Sequence, residues 1–358
     1  MDDSIIDDEH LTLEERSLLP SKGFFVPESY REEHRRAEFE ESVSGHSEVM
    51  LVDGDGDGLG AVVLGKQVHE NLGYATASPN YLEDALERLA EFVEEDATVY
   101  VVDLCPDPDV SLDELETVVE RASSVHWYDH HQWDEDVREA IEQLGVEVVV
   151  GESDEVCSAD VTLQQFEKAG YEFDEPIREL VAVTRDHDLW IRDDPRSDDL
   201  ADLSVFLDAD EYLEAVSEGP DIDGEYRELL KEKREEKEKL IELAVGRAET
   251  VDVAGVTVAH TYGRCSQNEV AESLREQGAD AAVVVKPEGG TSLRGSDGFE
   301  RCHEVARLLN GGGHPRAAGC KPDIFDTMLD FARHWTTEGE EARGVVVEAF
   351  EELLEEDD

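Results

Sequence analysis

The chain has 358 residues, enough for about two domains, and carries 92 acidic against 31 basic residues for a formal net charge of −61. Carboxylates at that density repel one another in dilute salt and are screened in concentrated salt, so the charge describes a salt-rich solvent, as in an extreme halophile, and no basic stripe of the kind that holds nucleic acid is visible. Apolar runs such as TVYVVDL and AAVVV exclude wholesale disorder, none approaches a membrane span, and MDDSIIDDEH lacks the order of a signal peptide, so a cytoplasmic protein is expected.

Residues 1–45 read as a polar extension with one helix around Glu28–Ser42. From 46 to 207 short apolar runs alternate with helical stretches. The strands are Val49–Val52, Thr98–Asp103, Ser124–Tyr128 and Val146–Val150; the helices between them are Tyr81–Val93, Ser111–Ala122 and Asp134–Leu144. Strand, helix, strand at this spacing implies right-handed crossovers and a mostly parallel sheet, whose ligands gather at the carboxyl ends of the strands. Polar clusters sit at just those ends: VDGDGDG, VVDLCPD and HWYDHH. Residues 208–248 read as a helical connector, because GEYRELLKEKREEKEKLIELAVGR mixes charges at helical spacing without proline. Residues 249–336 form a smaller α/β unit, with VDVAGVTVAH and AAVVVKPEGG as strands and Glu269–Gln277 and Cys302–Leu309 as helices. Residues 337–358 end the chain as an acidic helix or tail. The fold class is therefore α/β: a mostly parallel sheet domain, a charged helical connector and a smaller C-terminal domain.

The ladder VDGDGDGLGA begins like an EF-hand, with Asp53, Asp55 and Asp57 at positions 1, 3 and 5 and Gly58 at the turn. Position 12 is Leu64 where a bidentate Glu is needed, which leaves the calcium cage open. Asp103, the run Asp129-His130-His131, and Asp186 or Asp188 in TRDHDLW follow in order. Carboxylates crowded at strand ends repel unless cations neutralise them, and a mixed carboxylate and imidazole set suits manganese, with magnesium as the alternative. The five cysteines at 105, 157, 265, 302 and 320 form no C-x-x-C pair, which fits reduced thiols rather than a zinc knuckle or a disulfide framework.

VDGDGDG, VVD, DHH and TRDHD resemble, in order, the four motifs of the DHH phosphoesterase superfamily. SLRGSD and CHEVARLLNGGGHPRAAG look like the DHH-associated C-terminal domain, so the resemblance runs from about Ser47 to Lys321. It implies a two-metal phosphodiesterase with its active site in a cleft between the domains. Asp55 and Asp57 would each hold one of two divalent ions, Asp103 would bridge them, His130 would ligate the second, and Asp186, which aligns better than Asp188, would complete the site. Asp129 would orient its neighbours and His131 would meet the substrate phosphate, the two taken together as catalytic residues. Several branches of the family have a histidine where this chain has Leu51; the extra Asp53 resembles the RecJ-like exonuclease form. Gly311, Gly312, Gly313 and His314 resemble the substrate-binding loop, whose adjacent glycines let backbone N–H groups approach an anion, with Arg294 beside them and Arg264 and Arg316 as further candidates. Trp127 and Trp190 offer either base stacking or core packing.

The expected reaction is metal-dependent hydrolysis of single-stranded nucleic acid ends or short oligonucleotides, because in concentrated salt a few arginines and bound metals must replace a basic stripe. The alternatives are a small-nucleotide phosphodiesterase acting on a cyclic dinucleotide or a 3′-phosphorylated nucleotide, and an inactive scaffold among replication or repair proteins. Cleavage polarity, DNA or RNA preference and oligomeric state are not legible.

Overall fold

Alternating strands and helices build a parallel sheet from the first half of the chain. The computed structural model describes residues 28–108 and 110–355, so most of the expected N-terminal extension lies outside the described residues. Two compact units divide within one helix, at Lys231 and Glu232.

The first unit opens with helix α1 (Glu28–Val43) and strand β1 (Glu48–Asp53). There follow α2 (Gly56–Val68), β2 (Leu72–Ala77), α3 (Leu82–Phe92), β3 (Thr98–Val102), α4 (Asp113–Arg121), β4 (Ser124–Asp129), α5 (Glu135–Gln143) and β5 (Glu147–Val150). Four helices complete it: α6 (Ser158–Lys168), α7 (Glu175–Asp188), α8 (Pro195–Phe206) and α9 (Ala209–Val216). The sheet order is β2-β1-β3-β4-β5 and every pairing is parallel. Side chains alternate along β1 as strand geometry requires. Met50 and Val52 join one core with Leu59, Val63, Leu180 and Tyr212, while Val49 and Leu51 join the other with Leu86, Val101 and Trp127. Helices on both faces bury the sheet, and in this order the chain reverses direction across the sheet between β1 and β3, where such folds open a crevice.

Strand β2 went unread in the sequence because LGYATA has neither an apolar run nor clean alternation. Trp127 is fully buried and its indole N–H donates to Leu104 O at 2.9 Å, which settles it as core.

Residues 208–248 hold α9 and a long helix, α10 (Gly224–Gly246), that crosses the boundary between the units. The second unit holds β6 (Glu249–Val253), β7 (Val256–Tyr262), α11 (Gln267–Glu276), β8 (Ala281–Val285), β9 (Thr291–Gly295), α12 (Cys302–Leu308), β10 (Gly312–His314), β11 (Ala317–Cys320), α13 (Met328–Thr336) and α14 (Glu340–Glu355). Its sheet order is β10-β11-β9-β8-β7-β6, antiparallel except for β7 and β8. VDVAGVTVAH, read as one strand, is a hairpin: Ala254 and Gly255 both have positive φ, +49° and +86°, the two-residue turn that matches strand twist. The acidic end of the chain is a helix whose Ala342, Val346, Ala349, Phe350 and Leu353 are buried against this sheet. Their spacing puts them on one helical stripe, with the carboxylates outside. Among the described residues no helix is long and apolar enough to cross a membrane.

Candidate metal centre and active site

Three strand ends and two helix ends of the first unit converge on one cluster. The turn after β1 is shaped by its own aspartates. Asp55 caps α2, its Oδ1 accepting from the N–H groups of Asp57 (2.9 Å) and Gly58 (3.2 Å). A side chain at Gly58 would bring its Cβ within 2.2 Å of Asp53 O, so only glycine lets the turn fold this tightly. Asp57 then points inward at the start of α6, accepting from Ser158 N–H at 2.6 Å and Ala159 N–H at 2.9 Å. Positive helix-end dipoles favour a carboxylate there.

Asp103 follows β3 with φ of +61°, a left-handed conformation rare for a residue with a side chain and tolerated best by Asp and Asn. Its Oδ1 accepts the Ser158 hydroxyl at 2.9 Å. Asp129, at the end of β4, is fully buried and fully used. Oδ1 accepts from the N–H groups of His130 (2.7 Å) and His131 (3.2 Å), from His131 Nδ1 (2.7 Å) and from Ser158 Oγ (3.3 Å), and Oδ2 accepts Trp133 Nε1–H at 2.7 Å. It thus orients both histidines.

His130 has the opposite character. It is buried, 7% exposed, yet neither ring nitrogen has a hydrogen-bond partner. Its Nε2 lies 3.4 Å from Asp188 Oδ2, 3.9 Å from Asp103 Oδ1 and 4.0 Å from Asp57 Oδ2. Those spacings are mostly too long for hydrogen bonds. They match donor atoms around an ion at about 2.1 Å, which sit about 3 to 4 Å apart. Two overlapping donor sets result, Asp57-His130-Asp188 and Asp103-His130-His131. A buried imidazole without partners, ringed by carboxylates, fits a divalent cation.

The electrostatics agree. Burial and the neighbouring Asp188 push the Asp57 carboxyl up to about 7, and burial with Asp55 pushes Asp53 up to about 6. Burial and Asp57 also raise Asp103, and burial raises Asp188. Asp129 goes the other way: burial opposes its charge, but the bond to His131 and its other donors hold it low, and the same bond raises His131. Ion pairs of Asp57, Asp103, Asp129 and Asp188 among the described residues run to His130 and His131, so no lysine or arginine among them neutralises the group.

A pH dependence follows. Asp57 ordinarily titrates near 4 in an unfolded chain and near 7 in the folded one, so between those values the folded state binds more protons and stability falls as pH rises. In chelator-treated protein in molar KCl, where surface repulsion is screened, the melting temperature is expected to drop from pH 5 to pH 8. Asp57→Asn flattens that slope, and manganese removes it above pH 7. A wild-type slope unchanged in Asp57→Asn would mean that Asp57 ionises freely.

The structure separates the two aspartates of TRDHD, placing Asp188 rather than Asp186 beside His130. Two residues apart on a helix point about 200° apart, so only one can face the cluster. Asp188 does. Asp186 instead accepts from the N–H groups of Asp193 (3.0 Å) and Asp194 (3.1 Å), and from Ser197; these bonds outweigh burial and hold it low. Asp53 is half-buried and outside both donor sets, its Oδ1 taken by Gly54 N–H at 2.6 Å. Asp55 is exposed and also outside them. Leu51 is buried in the core on the opposite face of β1, away from Met50 and Val52. Ser158 went unread in the sequence. It contacts three of the aspartates from the first residue of α6, directly after the loop that follows β5 at the carboxyl edge of the sheet.

In the second unit, Arg294, Ala317 and His314 are paired across β9, β11 and β10, so they share one face. Arg294 is held by Asn268 Oδ1 at 3.0 Å and by the carbonyls of Leu293 and Ala318. A Cβ at Gly311 would come within 2.2 Å of Gly319 O, and at Gly313, φ +136°, within 2.6 Å of Ala317 O; at Gly312 it would meet nothing. Packing therefore explains two of the three glycines. His314 and Arg264 are exposed, and Arg316 pairs with Asp297 at 2.7 Å.

No family model matches the chain, and no curated protein matches it. Among solved structures it is similar to RecJ from Thermus thermophilus in complex with Mn2+, with a TM-score of 0.52 and 15% identity over 93% of this chain and 56% of that one. The fold is RecJ-like. At that identity the likeness is one of fold, and the chain spans little more than half of RecJ's length. Weaker similarities, at TM-scores of 0.40 and 0.38, are to an uncharacterized protein from Helicobacter pylori (18% identity, 84% of this chain, 99% of that one) and a pGpG-specific phosphodiesterase from Vibrio cholerae (12% identity, 83% and 99%). The RecJ-like fold accounts for the parallel sheet and the second sheet; the cluster stands on its own geometry.

Proposed function

We propose that the protein is a metal-dependent phosphodiesterase of the DHH type, acting on single-stranded nucleic acid ends or short oligonucleotides. The observation that carries this is His130: buried, without a partner on either nitrogen, and surrounded by three carboxylate oxygens. Asp57, Asp103, His130 and Asp188 would hold divalent ions, manganese or magnesium, with Asp55 and Asp53 open to add ligands from the ladder. Bound there, such ions supply a water of lowered pKa and neutralise charge on attacking and leaving oxygens. The chain's own residues do the rest. Ser158 fixes Asp103 and Asp129 in place, and Asp129 fixes the ring of His131 through Nδ1, leaving Nε2 to meet a phosphate oxygen. The bond to Asp129 keeps His131 protonated to higher pH, so it would bring a positive charge to the substrate phosphate. In the second unit, Arg294, His314 and the unobstructed Gly312 would offer a face of their own for a phosphate.

The test is hydrolysis in multimolar KCl with manganese, using end-labelled single-stranded DNA and RNA from dinucleotides to long oligomers. Laddered products that vanish with EDTA and with Asp103→Ala are the expected result, and the label position gives polarity. If no length is cleaved while a cyclic dinucleotide or a 3′-phosphorylated nucleotide is, the substrate is a small nucleotide. If nothing is cleaved and no metal binds, the phosphodiesterase reading is wrong.

A further inference from the structure

We propose that Trp190, flanked by Arg192 and His187, is a stacking platform for a nucleobase of the substrate. This rests on the phosphodiesterase reading and deepens it by naming a base-dependent subsite beside the cluster.

Trp190 stands apart from the other three tryptophans. Their indole N–H groups are all engaged, by Leu104 O, by Asp129 and by Pro287 O. That of Trp190 is not bonded among the described residues, and the side chain is 69% exposed. Its backbone is equally unusual. The chain leaves α7 through Trp190 at φ +55° and Arg192 at φ +58°, a left-handed conformation that bulky residues rarely adopt and that persists only where surrounding bonds impose it. Those bonds are present: Trp190 N–H donates to His187 O, and both Ile191 N–H and Arg192 N–H donate to Asp186 O. The carboxylate of Asp186 then secures Asp193 and Asp194 beyond them. The loop is built, and what it builds is an exposed indole.

What that indole suits can be read from what already lies on it. The Arg192 guanidinium sits 4.0 Å from the ring centre, and the His187 ring lies 6.0 Å away, tilted by 28°. Flat, polarizable groups thus already stack there, and a nucleobase is the substrate part of the same kind. Position points the same way. Asp188, in the metal-type cluster, is two residues before Trp190, so their Cα atoms are at most about 7 Å apart. His187 and Asp188 also line one cavity of about 150 Å³ with Asp55, Asp57 and Val205. A docking site for a folded protein would call for a broad apolar patch; here the other exposed apolar side chains named beside Trp190 are Ile191 in the same loop and Val205 at the cavity, with Asp193 and Asp194 following Ile191.

The experiment uses short single strands carrying one abasic residue at each of the first three positions from either end, compared with intact strands. Wild type is expected to show a KM at least about tenfold higher for an abasic residue at one of these positions, the scale of one lost stack. Trp190→Gly, whose residue suits the left-handed backbone and so protects the fold, is expected to raise the KM for the intact strand and treat both strands alike. Trp190→Phe restores most of the discrimination, and manganese-induced stabilisation is unchanged in both. Cleavage with wild-type discrimination in Trp190→Gly overturns the proposal while leaving the phosphodiesterase intact, and is the outcome an indole for protein docking would give. If no strand is cleaved at all, the phosphodiesterase reading fails by itself. Quenching of tryptophan fluorescence by AMP, present in wild type and lost in Trp190→Phe, then still tests the platform, and equal quenching in the two overturns it.

Discussion

His130→Ala is expected to lower turnover by about a thousandfold or more, the scale on which groups that stabilise developing charge act, while the protein stays folded. The imidazole is buried among carboxylates but bonds to none of them, so removing it severs no hydrogen bond and leaves the bonds of Asp57, Asp103 and Asp129 to α6 and to His131 in place. In metal-free protein the change in stability is therefore small. With manganese the two proteins part. An ion that binds only the folded chain at 100 times its dissociation constant stabilises it by about 2.7 kcal/mol, a shift of about 5–10 °C for a domain of this size. Wild type is expected to show that shift and His130→Ala to lose most of it. Measuring melting temperature against manganese concentration, beside turnover, separates a lost ligand from a damaged fold. Equal manganese shifts in both proteins would show that His130 is not a ligand, whatever happened to the rate.

What made the cluster legible was the coupling of strand ends to chemistry. VDGDGDG, VVD and DHH each end an apolar run, and a parallel sheet brings the ends of adjacent strands to one edge. Asp57, Asp103 and His130 come together for that reason. Everything that depended on a helix facing one way was harder. Which of Asp186 and Asp188 turns inward depends on how α7 rotates against α2 and α8, and the spacing of TRDHD is the same for either. Ser158 is one hydroxyl in the first turn of α6, one position past the cap residue Cys157, and nothing local says that it reaches across to Asp103. The choice between core and surface for Trp127 and Trp190 likewise waited on packing. Trp127 alternates inward along β4, whereas Trp190 lies past the end of α7, where periodicity says nothing.

The two aspartates of TRDHD are expected to fail in opposite ways. Asp188→Asn removes a carboxylate whose charge burial opposes and which adds to the repulsion on Asp57. Without metal the variant should be as stable as wild type or more so, because a neutral amide ends that repulsion. With manganese it should lose most of the stabilisation and about a hundredfold or more of turnover, since an amide is a poor ligand for the ion. Asp186→Ala removes an acceptor that holds two backbone N–H groups and Ser197, and leaves those donors short of partners at a half-buried site. That costs about 1–2 kcal/mol, present with or without metal, and it loosens the loop that carries Trp190. Manganese should still stabilise Asp186→Ala, because its cluster is whole. If Asp186 were the ligand, as the motif alignment implies, the pattern would be the reverse, with metal response lost in Asp186→Ala and kept in Asp188→Asn. Melting curves of the two variants with EDTA and with manganese decide between them without any knowledge of the substrate.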